Sequence, residues 1–322
     1  MTSEGKKSRR KMFLSVLPGE LVELVLSEEG TVQEYYVEML HQAASGHPGG
    51  SLSAVEIVTA LYFGGVMRYD AADPEWQERD RFILSKGHGV PVQYAAMAEA
   101  GYFPQEELKT LRRIDSRLQG HPVQGSLPGI EASTGSLGQG LSIGLGMALA
   151  ARLDGSDARV FVLLGDGECQ EGQVWEAAMA AGHHRPANLI AIVDYNKFQL
   201  DGAIEDIIGL EPLAAKWESM GWTTREVDGH DIEQVMDALR WARTQDGPAC
   251  IIAHTIKGKG VSFMEGDNAY HGVAPSDEEL PRALAELEDP ESRMAEALGD
   301  DEVLEQAEQS INGSANGKGG AQ

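Results

Sequence analysis

Three things are scarce in this 322-residue chain. It has two cysteines, Cys169 and Cys250, too few for a disulfide framework. No apolar run is long enough to span a bilayer. The basic stretch at 6–11 is followed by an apolar piece at 12–17 that is too short, and too soon interrupted, for a secretory signal. Basic residues are also scarce, 26 against 51 acids, and a formal net charge of −25 argues against nucleic acid as a partner. These absences leave the cytoplasm as the default location and no role at a membrane. No internal repeat is present, and the length suffices for a large core, as one α/β domain or two smaller ones.

What is present centres on Gly165-Asp166-Gly167. The triplet ends an apolar run, Val160-Phe161-Val162-Leu163-Leu164, that reads as a buried strand. A second such run, Leu189-Ile190-Ala191-Ile192-Val193, ends in Asp194-Tyr195-Asn196, and residues 171–182 between them read as a helix. A strand–helix–strand unit of this kind brings both strand ends to the same edge of a parallel sheet. One carboxylate and one amide there suit a hard divalent cation, and Mg²⁺ prefers few protein oxygens plus phosphate oxygens and water. The glycines let phosphate approach the backbone. The pattern is half of a metal–diphosphate site.

The fold class implied is α/β, a central, mostly parallel sheet flanked by helices. Residues 1–30 read as an N-terminal arm, with a basic start, Pro18-Gly19 and a short amphipathic piece. A helical pattern at 32–41 stops at Ser45-Gly46-His47-Pro48-Gly49-Gly50, and a second helix is expected from Leu52 with Ser51 or Ser53 as its cap. Strands are expected at 82–85, 222–227 and 249–255, and helices from Pro91, at 137–153 and at 232–243. Small residues along 140–148 let the second of these helices pack closely on a sheet or on a symmetry mate. Residues 276–311 form an acidic helical segment, either a solvated tail or a surface for a basic partner. Residues 312–322, rich in Gly, Ser, Asn and Ala, are expected to be disordered.

Four loops carry a histidine beside Gly or Pro: Gly46-His47-Pro48, Gly87-His88-Gly89, Gly120-His121-Pro122 and Tyr270-His271-Gly272. Each alone reads as an ordinary loop histidine. Four of them beside a metal–diphosphate candidate suggest proton transfer to and from substrate hydroxyls near neutral pH. Thr134-Gly135-Ser136-Leu137-Gly138-Gln139-Gly140 precedes a helix, where free backbone N–H groups can hold phosphate, or the glycines serve close packing. It is neither a Walker A loop nor a dinucleotide fingerprint. Lys257 follows a strand and either reaches a diphosphate or is solvated. His183-His184 has no further partner at ligand spacing and reads as structural.

These segments together carry a family resemblance. Gly165-Asp166-Gly167-Glu168 through Asp194-Tyr195-Asn196-Lys197-Phe198-Gln199-Leu200-Asp201-Gly202 resembles the thiamine-diphosphate motif. With the four histidine loops, Thr134–Gly140 and Lys257-Gly258-Lys259-Gly260, all in order over roughly 30 to 275, the chain resembles transketolase. The resemblance implies that residues 31–275 form the diphosphate-binding (PP) domain of the thiamine-diphosphate-binding fold. Asp166 and Asn196 would bind Mg²⁺, or Ca²⁺ or Mn²⁺, through side chains, with the Phe198 carbonyl as third protein ligand. Gly167, His88, Lys257 and the Gly135-Ser136-Leu137 turn would hold thiamine diphosphate, with Asn196 and His271 also on the cofactor. His47, His121 and His271 would face the ketose hydroxyls, His47 and His271 as proton-transfer groups. Glu171 matches the family's interfacial glutamate. Tyr195 departs from the second asparagine that many such enzymes carry.

A full transketolase is about twice this length, with pyrimidine-binding and C-terminal domains. The expectation is therefore the N-terminal subunit of a two-component transketolase, an α2β2 assembly moving a two-carbon ketol unit from a ketose phosphate donor to an aldehyde acceptor. Two alternatives are the α-subunit of a 2-oxoacid dehydrogenase, which has no need of donor-hydroxyl contacts, and a catalytically inactive thiamine-diphosphate-binding interaction subunit.

Overall fold

The computed structural model describes residues 18–288. The first seventeen residues of the expected arm, positions 289–311 of the acidic segment and the tail at 312–322 lie outside that span. The centre is a five-stranded sheet, wholly parallel, of β1 (Arg81–Leu84), β2 (Val160–Gly165), β3 (Leu189–Tyr195), β6 (Thr223–Asp228) and β7 (Ala249–His254), in the order β1-β2-β3-β7-β6. A small antiparallel hairpin, β4 (Phe198–Gln199) and β5 (Gly202–Ala203), follows β3 directly.

Alternation along the strands divides the core into two layers. Phe82, Leu84, Phe161, Leu163, Ile190, Ile192 and Ile251 face one side, packed under α1 (Pro18–Ala43), α3 (Val55–Phe63), α4 (Val90–Ala100) and α9 (Ile232–Ala242). Between α1 and α3 runs the short α2 (Pro48–Leu52). Ile83, Val160, Val162, Leu164, Ala191, Val193 and Ile252 face the other side, under α5 (Gly140–Leu153), α6 (Gly172–His184) and α8 (Leu213–Ser219). The remaining helices are α7 (Ile204–Ile207) and α10 (Glu279–Glu288). Strands covered on both faces are why these runs read as continuously apolar.

The structure moves several boundaries. The helix expected at 32–41 is α1, which begins at Pro18 and runs through the expected end of the arm at residue 30. Its buried stripe, Val25, Val32, Tyr36 and Leu40, crosses Gly30, where nothing lies within 4 Å of a Cβ position, so a glycine on that side interrupts no packing. The helix expected from Leu52 begins at Pro48, whose fixed φ suits the first helical position, and resumes at Val55. Neither Ser51 nor Ser53 caps it; Ser53 points its hydroxyl at Asp194 instead. The helix expected from 137 starts at Gly140. The opening of the acidic segment is no free tail: Ala283 and Leu287 of α10 join the core layer that contains α1. Among the described residues no helix is long and apolar enough to cross a membrane.

Helix α6 meets the loop before β6 at Gly182, where a Cβ would stand 1.6 Å from the Met220 carbonyl oxygen. Backbone cannot step aside as a side chain does, so Gly182→Ala is expected to cost about 2 kcal/mol or more. Urea unfolding of the variant should show a lower midpoint at unchanged slope.

Candidate active site

Several of the chemically notable loops leave the sheet at the carboxyl ends of its strands, where open α/β sheets bind ligands, and the His47 and His121 loops reach the same place from between helices. Ser85, Lys86 and His88 follow β1; Asp166 and Gly167 follow β2; Asn196 follows β3; Thr255 and Lys257 follow β7. The strand register fixes their alignment, since Gly165 pairs with Asp194 and Tyr195 with His254.

The four loop histidines converge. The His47 ring centroid lies 5.3 Å from that of His88, 5.6 Å from His271 and 6.2 Å from His121, and His88 stacks on His271 at 5.4 Å. Lys257 Nζ sits 2.8 Å from His271 Nδ1 and 2.6 Å from Asn268 Oδ1. Glycines make this density possible: a Cβ on Gly49 would lie 2.9 Å from Lys257 Cγ, and one on Gly135, at φ +125, would lie 2.5 Å from His121 Cδ2.

Electrostatics keeps the imidazoles neutral. Burial, then Arg112, His121 and Lys257, lowers His47 to about 4. Burial, then Lys257 and His47, lowers His271 to about 4. Burial and Lys86 hold His88 well below its usual value, and burial with Arg112 lowers the exposed His121. Burial drops Lys257 to about 8.

The Asp166–Asn196 pair is equally ordered. Asp166 accepts from the backbone N–H of Gly167 at 2.7 Å and of Lys197 at 2.5 Å. Burial and the charge of Asp194 push it up to about 7. Asn196 donates through Nδ2 to Ser53 Oγ and Asp194 Oδ2, both at 3.2 Å, which turns its Oδ1 the other way, to the Phe198 N–H at 3.1 Å. Among the described residues no cluster of three or more His, Cys, Asp and Glu forms a cage. A carboxylate and an amide oxygen are a sparse set of the kind that suits Mg²⁺ shared with phosphate.

Two features fit such an occupant. Lys257 is 1% exposed, yet its hydrogen-bond partners, Asn268 and His271, are both neutral. A buried ammonium so placed matches an anion. His47 Nδ1 is buried with no hydrogen-bond partner.

Two of the N–H groups that a free helix start would offer to phosphate are already taken. The N–H groups at the start of α5 are engaged inside the protein, Gly138 to Glu168 Oε1 at 2.9 Å and Gly140 to Ser85 Oγ at 3.2 Å. The Gly135-Ser136-Leu137 turn precedes that helix start and lies against the Gly87 loop instead. Glu171 caps α6 by position and is exposed. His183 and His184 stand apart, at the far end of α6.

Sequence reasoning missed the buried polar centre. Asp194, with no exposure, accepts from Lys86 Nζ, Thr255 Oγ1 and, at 2.6 Å, Ser53 Oγ. Burial alone raises an acid, but Lys86 and these hydroxyls hold Asp194 below the usual carboxylate range. Glu168 likewise gathers Ser85 and the N–H groups of Gly138 and Gly165. The available signal was a Lys and an Asp inside apolar strand ends, where a charge needs a partner.

This is an α/β domain with a cation–anion site and a histidine cluster at one sheet edge. Residues 30–294 match the family described as "Transketolase, thiamine diphosphate binding domain", and the chain belongs to that family. It is 46% identical over 262 residues to a 6-deoxy-6-sulfo-D-fructose transketolase subunit from Clostridium sp. (strain MSTE9), covering 81% of this chain and 95% of that one. It is 46% identical over 246 residues to an apulose-4-phosphate transketolase subunit from Actinobacillus succinogenes, covering 76% and 89%. Among solved structures, transketolase from Pichia stipitis superposes with a TM-score of 0.78 at 33% identity, over 82% of this chain and 40% of that one. Transketolase from Campylobacter jejuni gives 0.79 at 31% identity, over 84% and 43%. The chain thus spans about two fifths of the solved transketolases it matches.

A histidine lowered in the folded state binds fewer protons than it does unfolded, so it leaves stability untouched well above its ordinary value of 6.5 and removes stability as pH falls from there toward 4. The melting temperature should therefore drop across that window, and less steeply in a His47→Asn, His271→Asn double variant. An identical slope in both proteins would contradict the site's electrostatics.

Proposed function

We propose that this chain is the diphosphate-binding, N-terminal subunit of a two-component transketolase, transferring a two-carbon ketol unit from a ketose phosphate to an aldehyde. The observation that carries the reading is the convergence of His88, His121 and His271 around His47, with Lys257 bonded to His271. A 2-oxoacid decarboxylase has no use for so many groups able to bond substrate hydroxyls.

Thiamine diphosphate, when bound, supplies the carbanion chemistry that breaks and re-forms the C–C bond. Asp166, Asn196 and the Phe198 carbonyl hold Mg²⁺, or Ca²⁺ or Mn²⁺ in its place. Lys257, His88, Gly167 and the 135–137 turn hold the diphosphate side. His47 and His271, neutral as the site stands, accept hydrogen bonds from ketose hydroxyls, and an anion placed beside Lys257 favours their protonated forms. That moves both toward the range where an imidazole exchanges protons with substrate near neutral pH. His121, exposed at the rim, contacts the hydroxyls nearest solvent.

Support for a partner comes from relatives named as transketolase subunits that match over nearly their whole length. The partner we propose carries the pyrimidine-binding and C-terminal domains and forms an α2β2 assembly, with Glu171 exposed at the start of α6 for the interface. The cytoplasm, where the buried thiols Cys169 and Cys250 stay reduced, is the proposed location.

Three outcomes follow. Asp166→Ala abolishes Mg²⁺-dependent thiamine diphosphate binding by the complex, measured calorimetrically; unchanged affinity would sink the metal assignment. The purified chain alone shows no ketol transfer, and turnover without a partner would refute the two-component reading. His271→Ala slows donor cleavage in a single turnover far more than it weakens cofactor binding.

A further inference from the structure

Two cations flank the histidine cluster, and the cofactor accounts for one. Lys257 stands on the His271 side. Arg112 stands on the other, joining two histidine loops: its Nη1 donates to Ser45 Oγ at 2.6 Å, two residues before His47. Its guanidinium also packs on Gly120, next to His121, so closely that a Cβ there would lie 2.4 Å from Nε. After burial, Arg112 is the largest influence lowering both His47 and His121.

Arg112 is unusual among the half-buried arginines. Arg68, Arg79, Arg117 and Arg243 each meet a carboxylate; Arg112, like Arg159 and Arg225, meets none, and among the described arginines it is the one whose Nε is buried with no hydrogen-bond partner. Its backbone lies in the left-handed region, at φ 59, which a side chain with a Cβ enters only when its surroundings hold it there. A chain with 25 excess negative charges has acids to spare, yet places none beside this one. A planar guanidinium fork matches tetrahedral oxyanions, binding two oxygens at once.

We propose that Arg112 is a specificity residue, receiving the terminal phosphate of the sugar substrate while His47 and His121 meet its hydroxyls. The inference rests on the transketolase reading above and adds an anion-binding group from this chain to whatever the partner contributes. The ligand class is a phosphate ester; a sulfonate of like shape and charge presents the same oxygens and forms a second arm of the test.

The experiment uses the complex of this chain with its C-terminal partner, saturated with thiamine diphosphate and Mg²⁺. kcat/KM is measured for a ketose phosphate, for the matching sulfonate and for the ketose bearing neither group. In Arg112→Gln the preference for the phosphorylated over the bare sugar should fall roughly 10- to 100-fold, mainly through KM, the scale of one charged hydrogen bond. Arg112→Lys should keep part of it, and a sulfonate preference that survives while the phosphate preference falls would overturn recognition by shared oxyanion shape. Equal losses on all three sugars would show that Arg112 merely braces the two loops, and an unchanged preference would show it idle. Independently, inorganic phosphate titrated into the cofactor-saturated complex should shift the His47 and His121 ring resonances, and the shift should vanish in Arg112→Gln. A wild-type complex whose resonances ignore phosphate overturns the inference, whereas a normal shift without ketol transfer counts against the transketolase reading alone.

Discussion

The Asp194 carboxylate is the point on which the site depends. It has no exposure, and it takes an ammonium from Lys86 after β1, a hydroxyl from Ser53 between α2 and α3, a hydroxyl from Thr255 after β7 and the amide of Asn196. Three separate stretches of chain are thereby tied to one buried charge at the end of β3. Removing one partner of a buried, hydrogen-bonded pair typically costs about 3–5 kcal/mol, because the other charge is left uncompensated. Asn196 is turned by this centre, and the His88 and Lys257 loops leave the sheet from strands that it holds in register.

Around that neutralised centre the charges are unbalanced. The chain is strongly acidic as a whole, yet Lys257 and Arg112 stand on either side of the histidines without a carboxylate. Asp166 is the reverse case, a buried carboxylate raised by its acidic neighbour. Unpaired charges of both signs, close to a paired one, suit an ionic occupant. Each is destabilising until its counter-ion arrives, and relief of that penalty adds to binding. Paired groups such as Lys86 and Asp194 hold the frame; the unpaired groups are the ones left open to a ligand.

Much of the fold was legible in the chain. The apolar runs ending at Gly165 and Asp194 are strands, the helix between them is α6, and the sheet is parallel. Element ends were less legible. α1 continues through Gly30 because its buried stripe outweighs a local helix breaker, and α2 starts at Pro48 because the loop is held from both sides by Lys257 and His88. Within the candidate site, His47, His88, His121, His271, Asp166, Asn196 and Lys257 could each be picked out by residue type and neighbouring glycines. The pairing of Lys86, Glu168 and Asp194 and the isolation of Arg112 could not, since a charged residue reads the same whether it meets solvent, a partner or nothing.

The sequence by itself determined the alternation of strands and helices, the apolar faces and the kinds of side chain placed at strand ends, because those follow from local periodicity and chemistry. Only the tertiary structure decided which of these groups neutralise one another and which stay free. It sent the N–H groups at the start of α5 to Ser85 and Glu168, and it paired Lys86 with Asp194 while leaving Lys257 and Arg112 without carboxylates. Charge compensation acts over a few ångströms between residues 108 positions apart, as Lys86 and Asp194 are, and no local pattern encodes that distance.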